Sequence, residues 1–137
     1  VIDINDTKML TKMIEMTDSI LIGPGLGVDF KGNNAITLLL QNIQPHQNLI
    51  VDGDAITIFS KLKPQLPSCR VIFTPHQKEW ERLSGIPIDE QTYERNREAV
   101  NQLGATVVLK KHGTLKKHGT LKKNFGTLKK ASLRAND

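Results

Sequence analysis

A glycine-rich segment is the first stretch of this sequence whose residue types suggest ligand binding. Residues 23–27 read Gly-Pro-Gly-Leu-Gly. Three glycines in five residues permit positive φ angles and a close approach of backbone to ligand, and the amides of a following helix would favour an anion. The spacing matches neither the dinucleotide fingerprint nor the P-loop. Taken alone, an ordinary glycine-rich turn is an equally good interpretation.

Two carboxylates lie in the next polar segment, residues 52–55, which read Asp-Gly-Asp-Ala. They could accept hydrogen bonds from a ribose, hold a magnesium–water cluster, or repel each other. Either could instead cap the helix predicted from Ala55. We interpret Asp54 mainly as that N-cap and Asp52 as the better functional candidate.

A histidine and a carboxylate stand out in residues 74–79, which read Thr-Pro-His-Gln-Lys-Glu. His76 can exchange a proton near neutral pH, and Glu79 would open a helix whose N-terminal dipole favours a carboxylate. An isolated surface histidine usually has no function. The place of His76 at a strand end beside Pro75 favours one.

A basic segment closes this series at residues 110–114, which read Lys-Lys-His-Gly-Thr. A lysine at a strand end, followed by a glycine and a hydroxyl, suits a nucleotide phosphate. A solvated pair of lysines is the better interpretation if this segment is considered alone.

Alternating strands and helices must position these four segments. Continuously apolar runs, typical of strands buried on both faces of a parallel sheet, occupy residues 19–22, 48–51, 70–74 and 105–109. Helical spacing of apolar residues covers 9–16, 35–43, 55–62, 79–83 and 90–103, with Gly85 and Gly104 as C-caps. The alternation predicts an α/β fold with a doubly wound, mainly parallel sheet, whose ligands bind outside the carboxyl ends of the strands.

Composition limits the classes of protein that fit. The 137 residues suffice for one domain, and no apolar run is long enough to cross a bilayer, so we expect a soluble protein. The chain opens without Met and without a secretion signal, which we interpret as a fragment or processed product. The single cysteine, Cys69, excludes an intramolecular disulfide and fits the cytoplasm.

Positive charge is concentrated in the last part of the chain. Residues 110–137 hold nine Lys or Arg and one Asp, whereas residues 1–109 hold ten Lys or Arg and thirteen Asp or Glu. A Leu-Lys-Lys-His-Gly-Thr repeat at 109–114 and 115–120 accounts for much of the basic excess. Residues 115–137 are either a basic tail for anionic partners or a duplicated, artefactual or poorly determined terminus, and we favour the second interpretation.

In this order, the four segments resemble the ADP/ATP-dependent NAD(P)H-hydrate dehydratases of the ribokinase-like superfamily. The resemblance runs from about residue 18 to residue 114, and residues 1–114 would form a partial three-layer domain of that type. The sequence departs from the family pattern at Gly53 and Lys111, where the family has Ala and Gly, and at Gln77, Lys78 and Trp80 within the histidine motif.

The resemblance implies specific roles for the motif residues. Gly25 and His76 would contact the hydrated nicotinamide nucleotide. The full implied sets are Gly25, Gly27, Asp52, His76 and Glu79 for substrate, and Lys110, Lys111, His112, Gly113 and Thr114 for ADP or ATP. Mg²⁺ would accompany the nucleotide, and no residue is assigned as its ligand. The nucleotide would phosphorylate the 6-hydroxyl of the hydrate, and elimination of phosphate would restore the dihydronicotinamide.

The catalytic base of the family is an Asp in a Gly-Thr-Gly-Asp turn, and this sequence contains no such turn. Strands that would complete the sheet are also expected before residue 1. We therefore expect this chain to bind nucleotide weakly and not to catalyse. The exposed edges of an incomplete sheet predict self-association into a homo-oligomer.

Two other functions are alternative interpretations of this sequence. A small-molecule kinase of the same superfamily, acting on a vitamin precursor or sugar, is the second interpretation, and the motif at residues 76–83 speaks against it. A basic nucleic-acid-binding protein is the third. The six aromatic residues lie mostly in predicted core positions and give no stacking platform, so we expect neither nucleic acid nor membrane as a partner.

Overall fold

The structure is a computed structural model that describes residues 6–110. Helices alternate with strands along these residues, except that two helices come before the last strand. In chain order they are α1 (Thr7–Glu15), β1 (Ser19–Ile22), α2 (Phe30–Asn42), β2 (Asn48–Val51), α3 (Asp54–Leu62), β3 (Arg70–Phe73), α4 (Gln77–Ser84), a 3-10 turn (Ile88–Glu90), α5 (Tyr93–Leu103) and β4 (Thr106–Val107).

The strands form a four-stranded parallel sheet in the order β1-β2-β3-β4. Ser19 pairs with Asn48 at the start of the first pairing, and Ile22 pairs with Val51 at its end. The predicted α/β fold with a parallel sheet is confirmed. The fourth strand is shorter than the predicted run 105–109, because regular pairing there covers only Thr106 and Val107.

Helix ends follow local side-chain chemistry. The carboxylate of Asp6 accepts a hydrogen bond from the backbone N–H of Met9 at 3.1 Å and begins α1. The hydroxyl of Thr92 accepts from Arg95 N–H at 3.3 Å and begins α5, three residues later than predicted. Gly85 and Gly104 end α4 and α5 with φ of 79° and 74°, which confirms both predicted C-caps.

The chain divides into two compact units, Val1–Val71 and Ile72–Asp137, and each has buried apolar residues of its own. In the first unit they come from α2, β2 and α3, with Leu49, Val51 and Ile56 fully enclosed. In the second unit Phe73, Trp80 and Val107 are buried.

A hydrogen bond between two side chains lies inside the apolar core of the second unit. The indole N–H of Trp80 donates to Oδ1 of Asn96 at 2.8 Å, and both residues are buried. An indole N–H without an acceptor would be costly at this depth, so Asn96 satisfies the one polar atom of the largest core side chain.

The prediction that every strand is buried on both faces is wrong for β1. Its burial alternates between exposed and half-buried, and Leu21 is 61% exposed. Among the described strands β4 also ends the strand order and is buried, so the exposure of β1 comes from side chains whose faces of the sheet are not covered. Among residues 6–110, no helix is both long enough and apolar enough to span a membrane.

Candidate functional site

The glycine-rich segment forms a tight turn after β1. The backbone N–H of Leu26 donates to the carbonyl of Gly23 at 3.0 Å and closes the turn. Gly23 has φ of 130°, and a Cβ built on it would lie 1.6 Å from the backbone oxygen of Asp52. Only glycine permits both this conformation and this close approach, so the residue brings the turn directly against the end of β2.

The carboxylate of Asp54 ties the glycine turn to α3. Its Oδ2 accepts a hydrogen bond from the backbone N–H of Gly27 at 2.8 Å. The prediction that Asp54 caps α3 is wrong, because the N-cap position is Gly53, which has no side chain to bond, and Asp54 is the first helical residue. Its Oδ2 therefore accepts a hydrogen bond from an amide 27 residues earlier in the chain and does not cap its own helix.

A second helix, α2, also contacts the turn. The sequence analysis predicted this helix but not its contact with the turn. Asp29 caps α2, with its Oδ1 accepting from the N–H groups of Lys31 at 3.1 Å and Gly32 at 3.3 Å. A Cβ on Gly32 would lie 2.5 Å from the carbonyl oxygen of Gly27. A glycine inside a helix often marks such a close approach, and this signal in the sequence could have identified the contact.

Gly25 is the glycine of this turn with open space beside it. No heavy atom outside its chain neighbours lies within 4 Å of a Cβ built there, and its φ is 71°. A ligand could therefore approach the backbone at Gly25. The neighbouring surface is a cavity of about 900 Å³, lined largely by apolar residues of α1, β1, α2 and residues 23–26.

His76 and Glu79 form a reciprocal cap at the start of α4. Nδ1 of His76 accepts a hydrogen bond from the backbone N–H of Glu79 at 3.2 Å, and the backbone N–H of His76 donates to Oε1 of Glu79 at 3.0 Å. This is a capping box with histidine in place of the usual Ser or Thr. The predicted site residues His76 and Glu79 are therefore in direct contact.

Lys110 lies next to this cap. It is the parallel bridge partner of His76, and its backbone N–H donates to the carbonyl of Pro75 at 2.8 Å. The structure thus brings together one residue predicted for substrate and one predicted for nucleotide. The other predicted nucleotide residues, Lys111, His112, Gly113 and Thr114, lie outside the described residues.

The charges around α4 include one ion pair on its exposed side. Nζ of Lys78 donates to Oε1 of Glu81 at 2.7 Å, and this hydrogen bond lowers the pKa of the Glu81 carboxyl. Within residues 6–110 no three acidic, histidine or cysteine side chains are grouped closely enough to hold a metal ion.

Comparison with known proteins decides the family. The family model for NAD(P)H-hydrate dehydratase (Carb_kinase) matches residues 3–125. The chain belongs to this family. It is 95% identical over 114 residues to the ADP-dependent (S)-NAD(P)H-hydrate dehydratase of Staphylococcus aureus and 46% identical over 116 residues to that of Enterococcus faecalis. These matches cover 83% of this chain but only 41% and 40% of the two relatives, so the chain spans well under half of their length.

Solved structures agree with membership in the NAD(P)H-hydrate dehydratase family. A ribokinase-like superfamily protein from E. faecalis superposes with a TM-score of 0.78 at 35% identity, over 99% of this chain and 54% of that protein. The ADP/ATP-dependent NAD(P)H-hydrate dehydratase of Bacillus subtilis, crystallised with ATP and Mg²⁺, gives 0.59 at 25% identity, over 94% and 58%. The ribokinase-like fold predicted from the sequence is confirmed.

Proposed function

We propose that this chain carries ligand-binding elements of an enzyme that uses ADP or ATP to dehydrate hydrated NADH and NADPH. Family membership and the names of the relatives support the reaction. The structural observation that carries the proposal is the bridge between His76 and Lys110. It places the residue proposed for the hydrated nicotinamide next to the residue proposed for a phosphate, which phosphoryl transfer between two ligands requires.

The glycine turn supplies the other proposed contact to substrate. Gly25 has open space beside it, so we propose that its backbone faces the hydrate. Gly27 contributes through its bond to Asp54, which fixes the turn, and Asp52 is a proposed hydrogen-bond acceptor at the end of β2. Residues Lys110, Lys111, His112, Gly113 and Thr114 are proposed to line the ADP or ATP site.

Mg²⁺ fits the described residues only as a partner of the nucleotide. Mg²⁺ is commonly held by one or two carboxylates together with phosphate oxygens. Oδ2 of Asp54 already accepts the Gly27 amide, and no three-residue acidic cluster exists in the described part of the chain. We therefore propose that phosphate oxygens supply most of the ligands. When bound, Mg²⁺ would neutralise charge on the transferred phosphoryl group.

A direct assay tests the proposal. Enzymatically hydrated NADH is mixed with ADP or ATP and either this chain or the full-length S. aureus relative, and the recovery of NADH absorbance is followed. Lys110→Ala in both proteins is compared with Lys61→Ala, an exposed residue of α3. We expect dehydration by the full-length protein, loss of most of it in K110A, and little change in K61A.

Two results would count against the proposal. A stable phosphorylated product without recovery of NADH would favour a kinase of the same superfamily. Equal activity of K110A and K61A would show that the side chain of Lys110 does not contribute to the nucleotide site.

Three further properties belong to the same proposal. The single cysteine, buried Cys69, is compatible with the reducing cytoplasm as the location. β1 has one neighbouring strand among the described residues, and we propose that such an edge contributes to assembly into a homo-oligomer. We also propose that residues 1–114 carry the partial domain and that residues 115–137 add no part of the site.

A further inference from the structure

Amides of the glycine turn and of the helix after it donate to oxygen atoms of the protein. The backbone N–H of Leu26 donates to the carbonyl of Gly23 at 3.0 Å. That of Gly27 donates to Oδ2 of Asp54 at 2.8 Å, and the carboxylate of Asp29 accepts two amides of α2 at 3.1 and 3.3 Å. A glycine-rich loop binds phosphate when such amides point at the anion. A phosphate at this turn would therefore have to compete with two carboxylates.

The contact between Asp54 and Gly27 is made by a side chain, so it depends on the residue at position 54. Asp54 is the first residue of α3 and lies 27 positions after Gly27 in the chain. A carboxylate forms stronger hydrogen bonds with amides than a neutral acceptor does. The other end of the turn is held differently, because Gly23 lies against the Asp52 carbonyl. Loss of the Asp54 side chain would therefore release one end of the turn and leave the other in place.

Exposure differs along the turn. Gly23 is buried, Gly27 is half-buried and Gly25 is exposed, and the open space beside Gly25 is where a ligand can approach. Oδ2 of Asp54 holds Gly27, which is two positions after Gly25 in the chain. A negative charge this close raises the energy of a second anion, whereas an uncharged group is not repelled. The accessible part of the turn thus lies beside a carboxylate.

We propose that Asp54 is the positioning residue of the glycine turn, and that its carboxylate selects for an uncharged part of the ligand at Gly25 and against phosphate. The inference rests on the proposed function for the identity of the ligand, hydrated NADH or NADPH, which carries both uncharged rings and phosphates. Asp54 acts through the backbone that it holds and through its charge.

Three variants separate the hydrogen bond from the charge. D54A removes both the acceptor and the charge. D54N keeps an oxygen acceptor for the Gly27 amide but has no charge. The matched control is D89A, which makes the same change of net charge at an exposed residue of the 3-10 turn. D54A and D54N both lose a negative charge in the first turn of α3, so any effect of that loss on helix stability is common to the two.

Amide hydrogen exchange followed by NMR tests the positioning role without reference to ligand. We expect the Gly27 amide to exchange about tenfold faster in D54A than in the wild type, and D54N to stay near the wild type. The amide of Asp52, which donates to the Ile22 carbonyl at 3.0 Å, should exchange equally in all of them. Equal exchange of Gly27 in D54A and D54N would overturn this role. So would an equal rise at Gly27 and Asp52, because Asp54 would then support the fold as a whole.

Titration with inorganic phosphate tests the selection against anions. The signals of the Gly25 and Gly27 amides are followed as phosphate is added. We expect saturable shifts in D54A, where an amide is free and the charge is gone, and none in the wild type or in D89A. Saturable shifts in the wild type would show that the turn accepts phosphate. Their absence in D54A would show that Asp54 is not what excludes it. Either result would refute the selection.

Calorimetric titration with hydrated NADPH links the position of the turn to binding. We expect D54A to bind about tenfold more weakly than the wild type, equivalent to about 1.4 kcal/mol, and D54N to restore most of the affinity. The affinity for ADP should be the same in all variants, whereas a general loss of structure would lower both affinities. Wild-type affinity of D54A for hydrated NADPH would contradict the positioning role.

The two proposals fail differently. If the wild-type chain does not bind hydrated NADPH at all, the binding part of the proposed function fails, while hydrogen exchange and the phosphate titration still decide the role of Asp54. If the wild type binds hydrated NADPH and D54A binds it equally well, the proposed function stands and the inference is wrong.

Discussion

Replacing Gly23 by alanine should destabilise the protein far more than the same change at Gly25. Both residues have positive φ, which costs an alanine about 1–2 kcal/mol. At Gly25 nothing lies within 4 Å of the added methyl, so that cost is the whole effect. At Gly23 the methyl would lie 1.6 Å from the Asp52 carbonyl oxygen, and the backbone must move. Overpacking of this kind adds about 1–3 kcal/mol or more.

The expected difference between the two variants is therefore about 1–3 kcal/mol in the free energy of unfolding. Urea unfolding followed by far-UV circular dichroism measures it, with both variants in sulfate buffer because sulfate stabilises folded chains. The slope of the free energy of unfolding against urea concentration must be the same in both variants for this comparison to hold. If G23A is no less stable than G25A, the glycine turn does not lie against the end of β2.

Two further predictions concern single positions away from the glycine turn. Asn96→Ala should lower the free energy of unfolding by about 1–3 kcal/mol, because it leaves the buried indole N–H of Trp80 without its acceptor, and Asn101→Ala on the exposed side of α5 should change it little. Lys63→Gly should raise stability by about 0.5–1 kcal/mol, because Lys63 ends α3 with φ of 46°, a conformation that glycine adopts without strain. Urea unfolding decides both, and a destabilised K63G would mean that α3 ends differently.

Periodicity predicted the elements well because each is a local pattern. The runs at 19–22 and 48–51 coincide with β1 and β2, and Gly85 and Gly104 end helices as expected. Burial is not local, which explains the error at β1. Its apolar composition matches that of β2, but its exposure depends on which elements cover its two faces, and a run of four residues does not encode that.

The partners of polar side chains were harder to predict from sequence. Asp54 stands where an N-cap would stand, yet it accepts the amide of Gly27, which is 27 residues earlier in the chain. The sequence analysis also did not predict the N-cap of α4, although its two residues are only three positions apart. Histidine is an unusual N-cap, so His76 was read as a functional group alone, although Glu79 three residues later completes the capping-box spacing.

The three glycines of the turn have separate structural roles that the sequence motif alone does not predict. Gly23 permits contact with the Asp52 carbonyl, and Gly27 donates its amide to Asp54 while its carbonyl lies against Gly32. Both ends of the turn are thus fixed by contacts with neighbouring elements. Gly25, between them, has open space beside it, so a ligand that binds there meets a backbone whose position is already determined.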